Sequence, residues 1–188
     1  MYVWVYWGQV DHLSHLYGPD DERAIEEFVN LSTSFERQFL ERLSSAARRD
    51  TLLILTADHG AIATPKDARY EFRNHPELER CLHILPTCEN RQMNLFVRPG
   101  KEQAVQDYFA RTWPGKFEPV DPVEAVNAGL LGPGEQHPRL FDRLGDMIVI
   151  TRDNAYLWWS SQDNFLLGRH GGLSPEEMLV PFLAVRLH

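Results

Sequence analysis

Four aliphatic residues in a row, in Thr51-Leu-Leu-Ile-Leu-Thr56, constrain this chain more than any other stretch. A half-exposed strand alternates polar and apolar side chains, whereas a strand covered on both faces has no need to. The run therefore predicts a strand with a layer on either side. Ala57-Asp58-His59-Gly60 ends it. Ahead of it, Asp21 to Arg48 carries Ile25, Phe28, Val29, Phe35, Phe39, Leu40 and Leu43 at roughly helical spacing, which predicts one long amphipathic helix. Further back, Tyr2-Val-Trp-Val-Tyr-Trp7 is β-branched and aromatic and predicts a buried first strand. Strand, helix, strand in that order implies a parallel pair, hence an α/β fold with a central, mostly parallel sheet flanked by helices. Termini usually lie at the surface and fray, so a core strand at residue 2 means either an abrupt sheet or a missing upstream part.

Downstream the pattern is less regular. It predicts a loop over Gly8 to Asp21 and a short helix near Pro76 to Leu82. A strand is expected at Gln92 to Arg98, and helices at Lys101 to Thr112 and Pro122 to Ala128. Gly145 to Thr151 and Ala155 to Trp158 read as paired strands turning at Arg152-Asp153-Asn154. Residues 61–165 are expected to form an inserted α+β lid within a single domain spanning 1–188. Gly168-Arg-His-Gly-Gly172 is a tight loop, Ser174 and Pro175 suit the start of a short helix, and Pro181 to Leu187 is a final edge strand.

Composition narrows the function. With 188 residues and 43% hydrophobic content the chain can bury a core without staples. A net charge of −8 argues against a surface that coats nucleic acid. A small anionic substrate remains compatible, because bound cations supply positive charge locally. No apolar run has membrane-spanning length, so no membrane segment is expected. No signal peptide opens the sequence, from which a cytoplasmic location is expected. Cys81 and Cys88 are expected as free thiols.

Three constellations carry chemistry. In Asp11-x-x-x-His15, one helical turn would put both side chains on one face, within reach of one ion. A capping Asp and a surface His would share that spacing, but the position just past a strand favours a site. Asp58 and His59 stand together at the end of the apolar run; they suit a metal such as zinc, which takes oxygen and nitrogen donors, though Asp58 also suits a cap. His170 lies among glycines that let backbone approach closely, or in a merely flexible loop. His12, beside Asp11, reads as facing solvent or orienting a ligand, and His75, His83 and His137 read as surface or packing residues. Trp7, Tyr17, Trp113, Trp158 and Trp159 are candidates for stacking a base, but such aromatics usually belong to a core.

Taken together, these residues resemble the type I phosphodiesterase/nucleotide pyrophosphatase family of the alkaline phosphatase superfamily. The resemblance rests on Tyr6 to His15 with Tyr17-Gly18-Pro19, on Thr56 to Gly60, and on His170 to Met178, in the family's order. It implies an alkaline-phosphatase-like sandwich and hydrolysis of phosphodiester or nucleotide pyrophosphate bonds at a two-metal site. Asp11, His15 and His170 would hold one metal, and Asp58 and His59 the second, with Zn2+ typical and Mn2+ or Mg2+ as alternatives. In such a site two ions about 4 Å apart clamp the phosphorus centre. The substrate would be a small phosphodiester or nucleotide. The family's remaining metal-binding Asp and its Thr or Ser nucleophile precede the Asp-x-x-x-His motif, and Met1 to Val10 contains no Asp, Ser or Thr. The resemblance thus implies the C-terminal part of the fold, with the nucleophile expected upstream of Met1. Apolar sheet faces left bare would favour self-association. A noncatalytic metal-binding or interaction module of the same fold, or another phosphatase or mutase chemistry of the superfamily, stays open as an alternative. A sulfatase is disfavoured, since neither cysteine sits in a Cys-x-Pro-x-Arg motif.

Overall fold

The computed structural model describes all of residues 1–188. In chain order the elements are α1 (Gln9–Tyr17), α2 (Glu22–Gln38), α3 (Ser45–Arg49), β1 (Leu52–Thr56), β2 (Ile62–Ala63), α4 (Pro76–Glu79), β3 (Thr87–Glu89) and β4 (Gln92–Leu95). Then come α5 (Glu102–Thr112), β5 (Phe117–Val120), α6 (Pro122–Asn127), α7 (Phe141–Leu144), β6 (Met147–Thr151), β7 (Gly168–Arg169), α8 (Pro175–Met178) and β8 (Phe182–Arg186). The chain divides into two compact units. One comprises Met1–Thr64, Phe165–Arg169 and Pro175–His188; the other comprises Pro65–Asn164 and His170–Ser174.

In the first unit, β1 pairs with β8 and β2 with β7, both antiparallel. The expected parallel sheet is therefore corrected: every strand ladder in the chain is antiparallel, and the sheets are small. The parallel expectation needed Tyr2–Trp7 as a paired strand. Those residues form no ladder and stay exposed, because β-propensity without a partner leaves backbone groups unpaired. A strand preceding α2 is then lacking, and β1 takes β8 as its neighbour instead, with Leu52 opposite Arg186 and Thr56 opposite Phe182. The two-sided burial expected of β1 is corrected as well. Leu52, Ile54 and Leu55 are exposed, as are Phe182, Leu183 and Val185 across the ladder.

The long helix breaks after Gln38. Asp21 caps its start, its carboxylate accepting from the Arg23 amide at 3.0 Å. The Arg23 guanidinium, 2.7 Å from the same oxygen, holds the Asp21 carboxyl down at about 2. Ser44 then opens α3 by accepting from the Ala47 amide, a local bond that competes with continuing the helix. Ile25, Phe28 and Val29 are exposed, and Ala24 is the buried residue of α2.

The second unit holds a four-stranded antiparallel sheet in the order β3-β4-β6-β5. All five residues of β6 are buried, as its unbroken apolar run requires. Ile148 and Ile150 pack with Ala125, Val126 and Leu144. An aromatic cluster forms where α5 meets β5: Trp113 stands 4.7 Å from Phe117 and 5.6 Å from Phe109, ring centre to ring centre. The hairpin expected between 145–151 and 155–158 does not form. The amides of Leu157 and Trp158 donate instead to the carbonyls of Asn90 and Tyr70, and β6 lies between β4 and β5. No helix in the chain is long and apolar enough to cross a membrane.

Candidate metal centre

Residues far apart in sequence meet at one end of α1. The segment read as a loop is helical from Gln9 to Tyr17, so Asp11 and His15 share a face. Gly18 ends the helix, its amide donating to the Ser14 carbonyl at 2.9 Å. The strand β7 runs alongside: the Leu167 amide donates to the His15 carbonyl at 2.8 Å. His170 follows β7 by one peptide bond beyond Arg169. The ligand atoms of Asp11, His15 and His170 all lie within 4.8 Å of one another, each on a half-buried side chain.

The tautomer of His15 follows from its partner. Its Nδ1 lies 2.9 Å from the Gly168 carbonyl oxygen, which only accepts, so Nδ1 carries the hydrogen and donates. In the neutral ring Nε2 then bears the lone pair, and it stands 3.5 Å from Asp11 Oδ1. An imidazole lone pair facing a carboxylate is an arrangement that a cation satisfies. One carboxylate oxygen and two imidazole nitrogens fit zinc, which binds such donors at about 2.0–2.2 Å and leaves a fourth position open in catalytic sites. A larger, harder cation prefers more oxygens than this set supplies.

Asp58 and His59 repeat the pattern. His59 Nδ1 donates to the Gly60 carbonyl at 3.0 Å, and Nε2 stands 3.7 Å from Asp58 Oδ2. The turn is pinned against α8, since the Gly60 amide donates to the Glu177 carbonyl at 2.8 Å. Glycine is required here, because a Cβ would fall 1.9 Å from the Glu176 carbonyl oxygen. Asp58 is exposed and His59 half-buried, and neither belongs to the three-residue cluster.

The remaining sequence candidates resolve into packing and surface. His75 is buried, donates from Nε2 to the Arg69 carbonyl at 2.9 Å, and accepts the Tyr108 hydroxyl at Nδ1 at 2.7 Å. Burial pushes its pKa below the ordinary histidine value. His12, His83 and His137 are exposed. Trp113 and Trp158 belong to the core, and the Arg23 guanidinium covers the Tyr17 ring at 3.3 Å. A shallow cleft of about 200 Å³ lined by Phe72, Leu82, Ile84 and Arg98 holds none of the candidate ligands.

Sequence reasoning missed Arg169, which is 2% exposed and donates to the Thr64 hydroxyl at 2.7 Å. An arginine between a glycine and a histidine reads as a solvated loop residue, and only the fold shows it anchoring β7 beside His170.

The sequence matches the profile described as type I phosphodiesterase / nucleotide pyrophosphatase over residues 1–173. No curated protein matches it. Among solved structures, murine ectonucleotide pyrophosphatase/phosphodiesterase 5 superposes with a TM-score of 0.67 at 24% identity, covering 96% of this chain and 46% of the murine one. The same murine protein is also known as an inactive variant in complex with AMP. Phosphonoacetate hydrolase from Sinorhizobium meliloti 1021, in complex with phosphonoformate, gives a TM-score of 0.60 at 21% identity, covering 93% of this chain and 43% of the hydrolase. These likenesses show a shared fold. The chain spans less than half the length of either protein.

Proposed function

The chain belongs to the type I phosphodiesterase/nucleotide pyrophosphatase family, and from that premise we propose that it contributes the metal-binding half of a phosphoester-hydrolysing site. Asp11, His15 and His170 hold the first ion, and Asp58 with His59 contribute to a second. The observation that carries this reading is the convergence of the three ligand atoms within 4.8 Å. The repeated arrangement of His15 and His59, each bonded through Nδ1 to a glycine carbonyl with Nε2 beside an aspartate, supports it.

Zinc fits both donor sets better than Mg2+, with Mn2+ as the alternative. When bound, the ions would stabilise charge on the phosphate oxygens and favour the deprotonated form of an attacking hydroxyl or water. The chain's own residues orient the donors: Gly168 and Gly60 fix the two imidazoles through their carbonyls, and Arg169 ties β7 to Thr64. By the family resemblance the hydroxyl nucleophile would precede the Asp11-x-x-x-His15 motif, and no residue of this chain is assigned that role. The substrate is a small phosphodiester or nucleotide, a class supported by the AMP complex of the murine neighbour. Residues 61–165 are read as an inserted subdomain.

The test is metal titration followed by hydrolysis of bis-p-nitrophenyl phosphate. One zinc ion should bind more tightly than a second, and turnover should be poor. Zinc-dependent turnover at about 1 s⁻¹ or above, the range of ordinary enzymes, would show that the chain needs no outside nucleophile. Failure to bind zinc at all would leave a noncatalytic module of the same fold.

A further inference from the structure

We propose that Gly168 is a positioning residue of the first metal site, an inference that rests on the metal-binding reading given above. Two properties of this glycine act together. Its carbonyl takes the Nδ1 hydrogen of His15 at 2.9 Å, which turns Nε2 towards Asp11. Its missing side chain lets β7 approach the end of α1, because a Cβ there would lie 2.1 Å from the Ser14 carbonyl oxygen and 3.3 Å from Pro19 Cδ.

That Ser14 oxygen cannot simply move aside. It already accepts the Gly18 amide at 2.9 Å, and the next carbonyl, of His15, accepts the Leu167 amide at 2.8 Å. On its other edge β7 is held by the Ala63–Gly168 and Ile62–Arg169 pairs and by the Arg169 contact to Thr64. Any side chain at position 168 therefore has to separate α1 from β7. The helix carries Asp11 and His15, and the strand leads into His170 two residues later. Widening that approach lengthens the His15–Gly168 bond and spreads the three ligand atoms at once. The backbone contact thus acts on ligand geometry, and outer-shell changes of this kind typically cost about 10–100-fold in metal affinity.

The test compares Gly168→Ala with Gly145→Ala in zinc or cobalt(II) titrations, alongside thermal melts of the metal-free chains. Gly145 offers a matched clash, since a Cβ there would lie 2.5 Å from the Leu95 carbonyl oxygen in the second unit. The expected result is a Kd raised about 10–100-fold in Gly168→Ala, with an altered cobalt(II) visible spectrum, and an unchanged Kd in Gly145→Ala. Equal Kd for a folded Gly168→Ala and the unaltered chain, or equal losses in both variants, would overturn the proposal. If Gly168→Ala does not fold, the ring ¹⁵N shifts of His15 in the unaltered metal-free chain decide. The Nδ1–H tautomer supports the proposal, and the Nε2–H tautomer refutes it. An unaltered chain that binds no metal refutes the metal reading itself and this proposal with it. An unaltered chain that binds metal while Gly168→Ala binds equally well refutes the positioning role alone.

Discussion

Replacing His170 with alanine removes one donor of three from the proposed first metal site. Zinc held by four protein ligands is worth about 10–16 kcal/mol in peptide sites, so one ligand accounts for about 2.5–4 kcal/mol. At about 1.4 kcal/mol per decade this predicts a Kd raised about 10²–10³-fold. The lower end applies here, because the His170 side chain is half-buried and water can take its place at the ion. The assay is competition for zinc against a chromophoric chelator at fixed pH and ionic strength. His12→Ala is the control: His12 is the exposed neighbour of Asp11 on α1 and lies outside the cluster, so its loss should leave Kd unchanged. If His170→Ala and the unaltered chain bind zinc within threefold of one another, the three residues do not form a common site, however close their atoms stand.

Asp58→Asn should weaken uptake of a second ion and leave the first Kd unchanged, as read by stoichiometric titration; a change in the first would mean that the two sets are not separate. Burial keeps His75 neutral in the fold, with its pKa below the unfolded value. Its contribution to stability is therefore full above about pH 6.5 and is lost as pH falls through that value towards the folded pKa, at no more than about 1.4 kcal/mol per pH unit. Denaturant melts at a series of pH values should show this slope, and His75→Gln should flatten it. Phe109 is fully buried between Trp113 and Phe117. Phe109→Ala should cost about 3–5 kcal/mol of unfolding free energy, and a loss below about 1 kcal/mol would show that the aromatic cluster does not hold the second unit together.

The candidate ligands were legible in sequence because their chemistry is local. An acid and a histidine four apart, an acid beside a histidine at the end of an apolar run, and a histidine among glycines each read as donors without knowledge of the fold. The helices over 102–112 and 122–127 were equally legible, since the sequence predicts them at 101–112 and 122–128. Strand pairing was not, because period and propensity say that a segment suits a sheet but not which segment lies beside it. So β1 found β8, 126 residues on at the Thr56–Phe182 pair, and Phe117–Val120 became a strand despite Pro119, beside β6. The sequence alone thus determined which atoms are available to hold a metal. Tertiary structure decided which of them meet. It did so through contacts with no sequence signature: the backbone of β7 against α1 at Gly168, the guanidinium of Arg169 turned inward to Thr64, and a glycine carbonyl choosing the tautomer of His15.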